Sequence, residues 1–475
     1  MTFLIVDQGG HASRTVIMDR TGTPVASSER PLATFRPQGA WVEHDPLELL
    51  ETIRDTMEET VLKAVEGSDI LVAAGFATQR SNVVCWDGLT GQALSPVISW
   101  QDTRAGNRIS TLSSRAEDLH SKTGLFLSAH YGASKIQWCL ENIPEVKKAK
   151  KRGRLRTGPM SSFLAWQLTR ERPFVTDPVS ASRTLLFNIW ERKWDRELQD
   201  LFGVPEEVLP VCVPSVYEYG NLEIGKVRVP LTLVTGDQAA ALFAHGRLKT
   251  DTAYVNMGTG AFVSRFTGHT PVLSQVLLTS VTHVQNGMGE YVLEGTVNGA
   301  GSALAWVQDT YRIKDLRMQL PLWFKEIVDP PLFLNGISGL GSPFWIPDFP
   351  SEFVGKGGPA AKAVAVAESI AFLLYRNILE MDHHVKKPER IQITGGLSAL
   401  DGVCQLLADL TGVPAYRPVQ TEATARGTCF LLAGRPDQWP EAAEGTWFEP
   451  VEGTSGAQRY GRWSEAMGKR IRGGR

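Results

Sequence analysis

Long apolar runs are missing from this sequence, and cysteines are few. No stretch approaches the ~20 apolar residues that a membrane-spanning helix needs, and the amino terminus enters a strand-like segment at residues 3–6 without a signal-peptide pattern. The five cysteines are scattered and show neither CxxC spacing nor the cysteine and histidine spacing of a metal site. We therefore expect a cytoplasmic protein with reduced thiols, no structural metal and no membrane contact.

An excess of charge of one sign is also missing. The formal net charge is −2, with 21% charged and 43% hydrophobic residues, so no global field attracts nucleic acid. The basic runs at residues 147–154 and 469–472 are short and contain no interleaved aromatics. We interpret both as solvated loops or helix ends. The expected partners are small molecules, or further copies of the chain in a homo-oligomer.

The length and the hydrophobic pattern indicate two domains of α/β class. A chain of 475 residues exceeds what one hydrophobic core usually serves. Strand-like apolar runs alternate with helical patterns such as residues 45–66, where apolar side chains recur every three or four residues. This alternation predicts sheets covered by helices.

Each half of the chain opens with the same pattern of strand, glycine turn and strand. Residues 4–10 precede a second strand at residues 14–19, and residues 253–260 precede one at residues 261–264. A glycine turn lets backbone N–H groups approach an anion because no Cβ stands in the way. The two turns are therefore candidates for gripping a polyphosphate from both sides; a purely structural role for each hairpin is the alternative.

Several runs, taken together, resemble the motifs of one enzyme family. They are residues 7–9 with 13–14, 39–46, 78–80, 100–104, 176–177, 181–189, 236–241, 258–260, 339–345 and 395–396. In this order, and across nearly the whole chain, they resemble the FGGY carbohydrate kinases and, within them, the glycerol kinase branch.

The resemblance implies a fold and an activity. The family's fold consists of two actin-like, ribonuclease-H-type α/β domains with a ligand cleft between them. It implies a domain at residues 1–234, with the substrate side and the first phosphate hairpin, and a domain at residues 235–475, with the nucleotide side. The implied reaction is the ATP-dependent phosphorylation of a hydroxyl on a small sugar or polyol, with ATP and Mg²⁺ as cofactors.

Two aspartates are expected to carry the chemistry. Phosphoryl transfer to an alcohol needs a base for the hydroxyl proton and a cation for the phosphate charge. By the resemblance, Asp237 is the general base and contacts substrate and metal, while Asp7 holds Mg²⁺ directly or through water. A helix N-cap for Asp237 and a turn cap for Asp7 are the structural alternatives.

The resemblance also implies a set of nucleotide contacts. Donors of both hairpins are expected to bind the phosphates, and glycines of the second half are expected to border the adenosine. The residues concerned are Asp7, Gly9, His11, Ser13, Arg14, Gly258, Thr259, Gly301, Gly395 and Gly396. A solvated arginine at position 14 and a plain strand-to-helix turn at positions 395–396 are the alternatives.

On the substrate side, hydrogen-bonding groups and flat apolar walls are expected around a carbon skeleton. The residues that the resemblance implies are Arg80, Ser81, Trp100, His130, Asp237, Gln238 and Phe262. For the two aromatic residues, an ordinary core position is the alternative.

Four positions on the nucleotide side depart from the glycerol kinase pattern. Gly10 and His11 stand where the branch has two threonines, so a hydroxyl expected near the γ-phosphate is missing, although the His11 imidazole is a candidate donor in its place. Ala305 and Leu400 replace a glutamine and an asparagine. These changes favour the alternative function, a catalytically reduced sugar- or nucleotide-binding protein of the same fold with a regulatory role.

The substrate side departs from the pattern as well. Ser81 replaces a glutamate, and His130, beside Tyr131, replaces a tyrosine. Because serine is shorter than glutamate, we expect an acceptor larger than glycerol, such as a four- or five-carbon polyol or a ketose, to be the best substrate. The matched substrate-side motifs disfavour a third interpretation, an actin-like chaperone or filament protein.

Overall fold

A computed structural model of the protein describes residues 1–65, 70–419, 422–440 and 444–473. Within these ranges, two large sheets of six and seven strands contain most of the β-structure. One four-stranded sheet and three two-stranded sheets accompany them. Helices pack against both large sheets, which gives the mixed α/β architecture predicted from the sequence.

The strands of the described residues range from two to ten residues in length. They are β1 (Thr2–Gln8), β2 (Ala12–Asp19), β3 (Pro24–Pro31), β4 (Glu43–His44), β5 (Leu71–Thr78), β6 (Val83–Asp87), β7 (Val97–Ile98), β8 (Leu155–Pro159), β9 (Val175–Thr176), β10 (Phe187–Asn188), β11 (Lys193–Trp194), β12 (Val211–Cys212), β13 (Val216–Ile224), β14 (Val227–Gly236), β15 (Thr252–Met257), β16 (Ala261–Gly268), β17 (Leu278–Gln285), β18 (Met288–Val297), β19 (Leu332–Leu334), β20 (Glu352–Val354), β21 (Arg390–Thr394), β22 (Ala415–Pro418) and β23 (Gly445–Phe448).

The α-helices of the same residues alternate with these strands. They are α1 (Pro46–Val65), α2 (Gly106–Ser110), α3 (Ala116–Thr123), α4 (Gly132–Asn142), α5 (Pro144–Lys151), α6 (Met160–Leu168), α7 (Pro178–Ala181), α8 (Arg196–Phe202), α9 (Asp237–Leu242), α10 (Gly301–Thr310), α11 (Leu316–Glu326), α12 (Pro359–Met381), α13 (Asp401–Thr411), α14 (Ala423–Leu432) and α15 (Gly456–Gly473).

Five strands of each large sheet share one order and one set of directions. The first sheet has the order β13-β14-β5-β1-β2-β3, and the second has the order β17-β18-β16-β15-β21-β22-β23. In the first, β1 pairs antiparallel with β2 and parallel with β5, which pairs parallel with β14. In the second, β15 has the same relation to β16 and β21, and β21 pairs parallel with β22. The predicted repetition of one hairpin in both halves is therefore confirmed, and it extends to five strands.

The predicted helix over residues 45–66 is α1, and it covers one face of the first sheet. Its side chains Leu49, Ile53 and Met57 are buried in a core with Leu4 and Val6 of β1. Because successive side chains of a strand point to opposite faces, the neighbouring residues of β1 face the other way. In the second half, α12 is buried over most of its length and contacts β16 and β18, so it corresponds to α1.

The opposite face of the first sheet is covered by a helix from late in the chain. Phe3 and Ile5 of β1 form a cluster with Ala425 and Cys429 of α14. At Gly427 the helix touches the backbone of α9, because an added Cβ would lie only 1.8 Å from the Ala240 carbonyl oxygen. Helix α14 therefore joins the second half of the chain to the first.

Four minor features bear on the predictions made from the sequence. All five cysteines are unpaired, and four of them are buried. The basic runs lie at the ends of α5 and α15, as predicted. No helix in the described ranges is long and apolar enough to cross a membrane. The expected border between residues 234 and 235 falls near the end of β14 and remains a prediction.

Candidate active site

The carboxyl ends of three neighbouring parallel strands meet at one edge of the first sheet. Asp7 lies near the end of β1, Arg80 follows β5, and Asp237 follows β14. The registers pair Gln8 with Thr78 and Thr78 with Gly236, which brings the three ends level. In open α/β sheets, ligands bind at such an edge.

A cavity of about 220 Å³ lies between this edge and a face of the second sheet. Four of the predicted substrate residues line it: Arg80, Asp237, Gln238 and Phe262. The remaining walls come from α9, from residues along β15, β16, β17, β18 and β21, and from α14. Both halves of the protein therefore contribute to one cavity.

Asp237 is the first residue of α9, and Gly236 holds the N-cap position. The structural alternative of an N-cap aspartate therefore does not describe its position. Its Oδ1 accepts a hydrogen bond from the backbone N–H of Gln238 at 2.7 Å. Withdrawal from water raises the pKa of Asp237, and the positive charges of Arg80 and Arg183 oppose this rise.

Asp7 lies close enough to Asp237 for the two carboxylates to repel each other. The pKa of Asp7 is raised to about 7, first by burial and second by the charge of Asp237, while the charge of Arg14 opposes the shift. Two crowded carboxylate oxygens suit a hard divalent cation, which would relieve their repulsion and keep several of its own waters. The pair therefore fits Mg²⁺. Groups of three or more ligands able to cage a metal ion are absent from the described residues.

Arg80 and Arg183 meet a buried carboxylate from the second sheet. The Arg183 guanidinium donates to Glu294 Oε1 at 2.5 Å, and the Arg80 guanidinium lies 3.8 Å from Glu294 Oε2. Arg80 also donates to the side-chain carbonyl of Gln238. Burial lowers the pKa of Arg80 to about 10, with the nearby Arg183 charge as the second cause. Glu294 lines the cavity, so this network forms part of its wall.

The other predicted substrate residues lie beside the cavity. The Ser81 hydroxyl donates to the Arg183 carbonyl oxygen at 3.2 Å and does not line the cavity. Trp100 and His130 are exposed, and His130 Nδ1 lies 3.0 Å from the Trp100 carbonyl oxygen. Burial raises the pKa of the neighbouring Tyr131. The charges of Arg183, Glu294 and Arg80 also act on this pKa, so Tyr131 lies near the arginine network.

Two matched stretches of the first half form a structural unit. The backbone N–H of Val42 donates to Asp102 at 2.6 Å. Arg104 pairs with Glu43 at 2.6 Å and with Asp102 at 2.7 Å, and it stacks on the Trp41 ring. None of these residues lines the cavity. They therefore fix the loop that carries Trp100.

The first hairpin turn contains Gly9 and His11. The Gly9 N–H donates to the Ala12 carbonyl oxygen at 3.1 Å and closes the turn. The His11 side chain is exposed. The Ser13 hydroxyl is buried, 2.7 Å from both the Gln8 side-chain oxygen and the Thr52 hydroxyl, so it points into the protein core. Its predicted phosphate contact remains a prediction.

Arg14, which stands opposite Asp7 across the first hairpin, pairs with a residue of the second half. Its guanidinium lies 2.6 Å from Glu422 Oε1 and 3.8 Å from Glu29 Oε2. Glu422 immediately precedes α14. A phosphate contact by Arg14 would share or replace this ion pair.

The second hairpin turn is held by the start of α10. The N–H groups of Ala300 and Ser302 donate to the Thr259 carbonyl oxygen at 3.2 and 3.1 Å, and the Gly301 N–H donates to the Gly258 carbonyl oxygen at 3.0 Å. An added Cβ at Gly301 would lie 2.8 Å from that oxygen. The structure thus requires glycine at 301 for packing, and the Thr259 side chain remains exposed at the turn.

The glycine pair after β21 has two different surroundings. Gly395 has a φ of +92°, and an added Cβ would lie 2.4 Å from the Met257 carbonyl oxygen. Gly396 has open space around it, since no atom lies within 4 Å of an added Cβ. A 3₁₀ turn at Gly396–Ala399 begins at the second glycine and leads to α13, which starts at Asp401.

Two charged residues of the site were assigned no role from the sequence, Arg183 and Glu294. Arg183 lies inside a matched run, and Glu294 is one of two glutamates, with Glu290, in the otherwise mostly apolar β18. A charge in a buried strand is expensive unless it is paired. The charge in an apolar strand could be recognised in the sequence. Its arginine partner in the other half of the protein could not.

The chain was compared with known families and proteins. Residues 2–244 match the FGGY family of carbohydrate kinases, N-terminal domain, and residues 253–434 match the C-terminal domain of the same family. A glycerol kinase of Thermoanaerobacter sp. (strain X514) is 34% identical over 485 residues, which cover 97% of both chains.

Solved structures share the fold over the full length. The Plasmodium falciparum glycerol kinase with ADP superposes with a TM-score of 0.91 at 24% identity, over 98% of both chains. The gluconate kinase from Lactobacillus acidophilus gives 0.85 at 20% identity, over 99% of both chains. The predicted fold class of two actin-like domains is confirmed.

Proposed function

The chain belongs to the FGGY family of carbohydrate kinases, whose members phosphorylate sugars or polyols with ATP, and we propose that Asp237 is the general base of this reaction. The observation that carries the proposal is the position of Asp237 at a strand end, in a cavity it shares with Arg80, Gln238 and Phe262. A base must lie within hydrogen-bond reach of the hydroxyl that it deprotonates.

The charges around Asp237 suit this role. Its raised pKa makes the carboxylate a stronger proton acceptor than a solvated aspartate. The positive charges of Arg80 and Arg183 favour the ionised carboxylate and so oppose this rise. The proton of the acceptor hydroxyl would move to a carboxylate oxygen of Asp237 while the hydroxyl oxygen attacks the γ-phosphorus, and the bond from the γ-phosphorus to the β,γ-bridging oxygen would break to release ADP.

Asp7 and Asp237 would hold Mg²⁺, which when bound neutralises charge on the transferring phosphoryl group. The two hairpin turns would bind phosphates from opposite sides of the cleft. Gly9 and His11 belong to the first turn, and Gly258 and Thr259 to the second. Gly301, Gly395 and Gly396 would border the adenosine, with Gly396 the most accessible of the three.

The acceptor would lie against Phe262, with its hydroxyls toward Arg80 and Gln238. Glu294 adds a carboxylate acceptor to the same wall. Because the Ser81 hydroxyl donates to the Arg183 carbonyl oxygen, the Ser81 side chain does not fill the cavity. This supports the expectation that an acceptor longer than glycerol is the best substrate.

A coupled ATPase assay with glycerol, four- and five-carbon polyols, ketoses and aldoses tests the proposal. We expect ADP release that depends on one of these acceptors, with a higher kcat/KM for a longer acceptor than for glycerol. Acceptor-dependent turnover that favours glycerol by about tenfold, or ~1.4 kcal/mol, would contradict the larger-acceptor expectation alone. No turnover with any acceptor, despite measurable ATP binding, would indicate the catalytically reduced protein instead.

A further inference from the structure

Lys135 is a buried lysine whose ammonium group contacts three separate segments of the first half. It lies in the first turn of α4, and its side chain is 0% exposed. Its Nζ donates to the carbonyl oxygens of Ser81 at 3.2 Å, Ser99 at 2.7 Å and His130 at 2.6 Å. The three available donors of an ammonium group are therefore all used.

Burial of the Lys135 ammonium group is unfavourable in free energy. Lysine is almost never fully buried unless it is paired, and Lys135 forms no ion pair within the described ranges. A cation in the first turn of a helix also opposes the helix dipole. Burial lowers the pKa of Lys135 to about 7, although the charge of Asp102 acts in the opposite direction. A residue retained at such cost calls for a compensating role.

The three carbonyl groups share one property, since each belongs to or adjoins a residue of the predicted acceptor site. Ser81 follows Arg80, Ser99 precedes Trp100, and the third carbonyl is that of His130 itself. The segments are separated by 18 or more residues along the chain, and the ammonium group joins them at one point.

Further hydrogen bonds connect the same segments directly to one another. The Trp100 N–H donates to Asn82 Oδ1 at 2.7 Å, and the Trp100 carbonyl oxygen lies 3.0 Å from His130 Nδ1. Ser81 has a φ of +66°, a left-handed conformation that is strained for a non-glycine residue. Its carbonyl is held by Lys135 and its hydroxyl donates to the Arg183 carbonyl oxygen. This turn directs the preceding Arg80 side chain into the cavity.

We propose that Lys135 is a positioning residue for the acceptor: its three hydrogen bonds set Arg80, Trp100 and His130 at fixed distances from one another. The inference rests on the proposed function, because it takes Arg80 as an acceptor contact there, together with Trp100 and His130, which the family resemblance implies on the substrate side. None of the three carbonyl groups lies in either hairpin turn or beside the glycines of the nucleotide side. Lys135 therefore acts on the acceptor and leaves ATP binding unchanged.

Kinetics of Lys135→Met test the proposal, since methionine keeps the length and removes all three donors. We expect the KM for the acceptor to rise about tenfold or more, while the KM for ATP changes less than about threefold. The matched control is Thr169→Val, which removes a buried hydrogen bond to the Ala165 carbonyl oxygen at the end of α6, outside the three segments and the cavity. The control should lower thermal stability and leave both KM values unchanged.

Hydrogen exchange provides a readout that needs no activity. In Lys135→Met, peptides covering residues 80–83, 99–101 and 128–131 should exchange faster together, whereas in Thr169→Val they should not. If Lys135→Met does not fold, Lys135→Gln keeps one or two donors and should show smaller changes of the same kind. Equal rises in both KM values, or an unchanged acceptor KM, would overturn the inference. Absence of wild-type turnover would instead count against the proposed function, and the exchange pattern would still decide the role of Lys135.

Discussion

At the scale of single residues, the site contains buried charged groups. Each of them is unfavourable alone and is stabilised only by its charged partners. Asp7 and Asp237 repel each other, while Arg80 and Arg183 crowd around Glu294. Perturbed carboxylates and guanidinium groups in one cleft are typical of catalytic sites, where binding of substrate and metal relieves the strain. The role of each group can be tested by removing its charge alone.

Asp237→Asn should retain the fold and ATP binding and lower kcat by about 10²–10⁴, because a carboxamide cannot take the hydroxyl proton. Steady-state kinetics with saturating acceptor, and calorimetric titration with ATP, measure the two effects. Asp45→Asn is a matched control, since Asp45 is also a carboxylate at a helix start, accepts the Leu47 N–H at 2.7 Å and lies outside the cavity. If turnover of Asp237→Asn stays within a few-fold of the wild type, Asp237 is not the base.

Asp177 allows a test of pH dependence away from the chemistry. It is fully buried at the start of α7, and burial raises its pKa to about 6 from 3.8, although the N–H groups of Val179 and Ser180 donate to it. A raised carboxyl pKa means that the folded state holds a proton that the unfolded state has already lost. Stability therefore falls as pH rises from about 4 to 6, by ~3 kcal/mol in total.

The Asp177→Asn variant lacks this titration. Melting temperatures of both proteins between pH 4.5 and 7.5 should show the wild type losing several degrees relative to the variant as pH rises through 6. A temperature difference that does not change with pH would show that burial does not shift the pKa of Asp177 in this way.

At the scale of elements, local sequence patterns were sufficient to predict a helix and two hairpins. They were not sufficient to predict contacts between distant segments. The helix over residues 45–66 and both hairpins were predicted because periodicity and glycine turns depend on neighbouring residues only. The network of Glu294 with Arg183, and the role of Lys135, depend on contacts between segments far apart in the chain. Arg80 and Asp237, which the resemblance assigns to the site, both line one cavity, but the resemblance did not show that the Ser13 hydroxyl points inward.

The glycine pair after β21 offers a prediction for one turn. Gly396→Ala should leave the melting temperature unchanged, because nothing lies near the added methyl group, and it should raise the KM for ATP if the nucleotide occupies that space. Gly395→Ala should lower the melting temperature, since both its φ of +92° and the Met257 carbonyl oxygen oppose a Cβ. Thermal denaturation and ATP kinetics separate the two effects. An unaltered KM in Gly396→Ala would place the nucleotide elsewhere.

At the scale of the whole molecule, the cavity lies between two sheets whose halves are joined by ion pairs, by helix α14 and by shared apolar clusters. The Arg14 to Glu422 ion pair, helix α14, and the contact of Glu294 with the arginines all cross from one half to the other. The sequence predicted the two halves from their repeated hairpins. It did not predict the crossing of α14, because nothing local distinguishes that helix from one that covers its own sheet.

If both hairpins grip one nucleotide, binding of ATP and acceptor together should close the cleft and exclude water. Small-angle scattering of Asp237→Asn, which should bind both ligands without turnover, measures the change. The radius of gyration, near ~23 Å for a compact chain of this length, should fall by roughly 0.5–1 Å with both ligands and less with either alone. The same radius with and without the bound pair would contradict closure.

Helix α14 also has a consequence for the synthesis of the protein. Domains generally fold in order as they leave the ribosome, at about 5–20 residues per second. Here the face of the first sheet that carries Phe3 and Ile5 is covered by residues 423–432, which are translated some 400 residues later. For roughly 20–80 s the nascent amino-terminal half would present an uncovered apolar strand surface, a typical substrate for chaperones. The first half is thus completed only when the second has nearly been made.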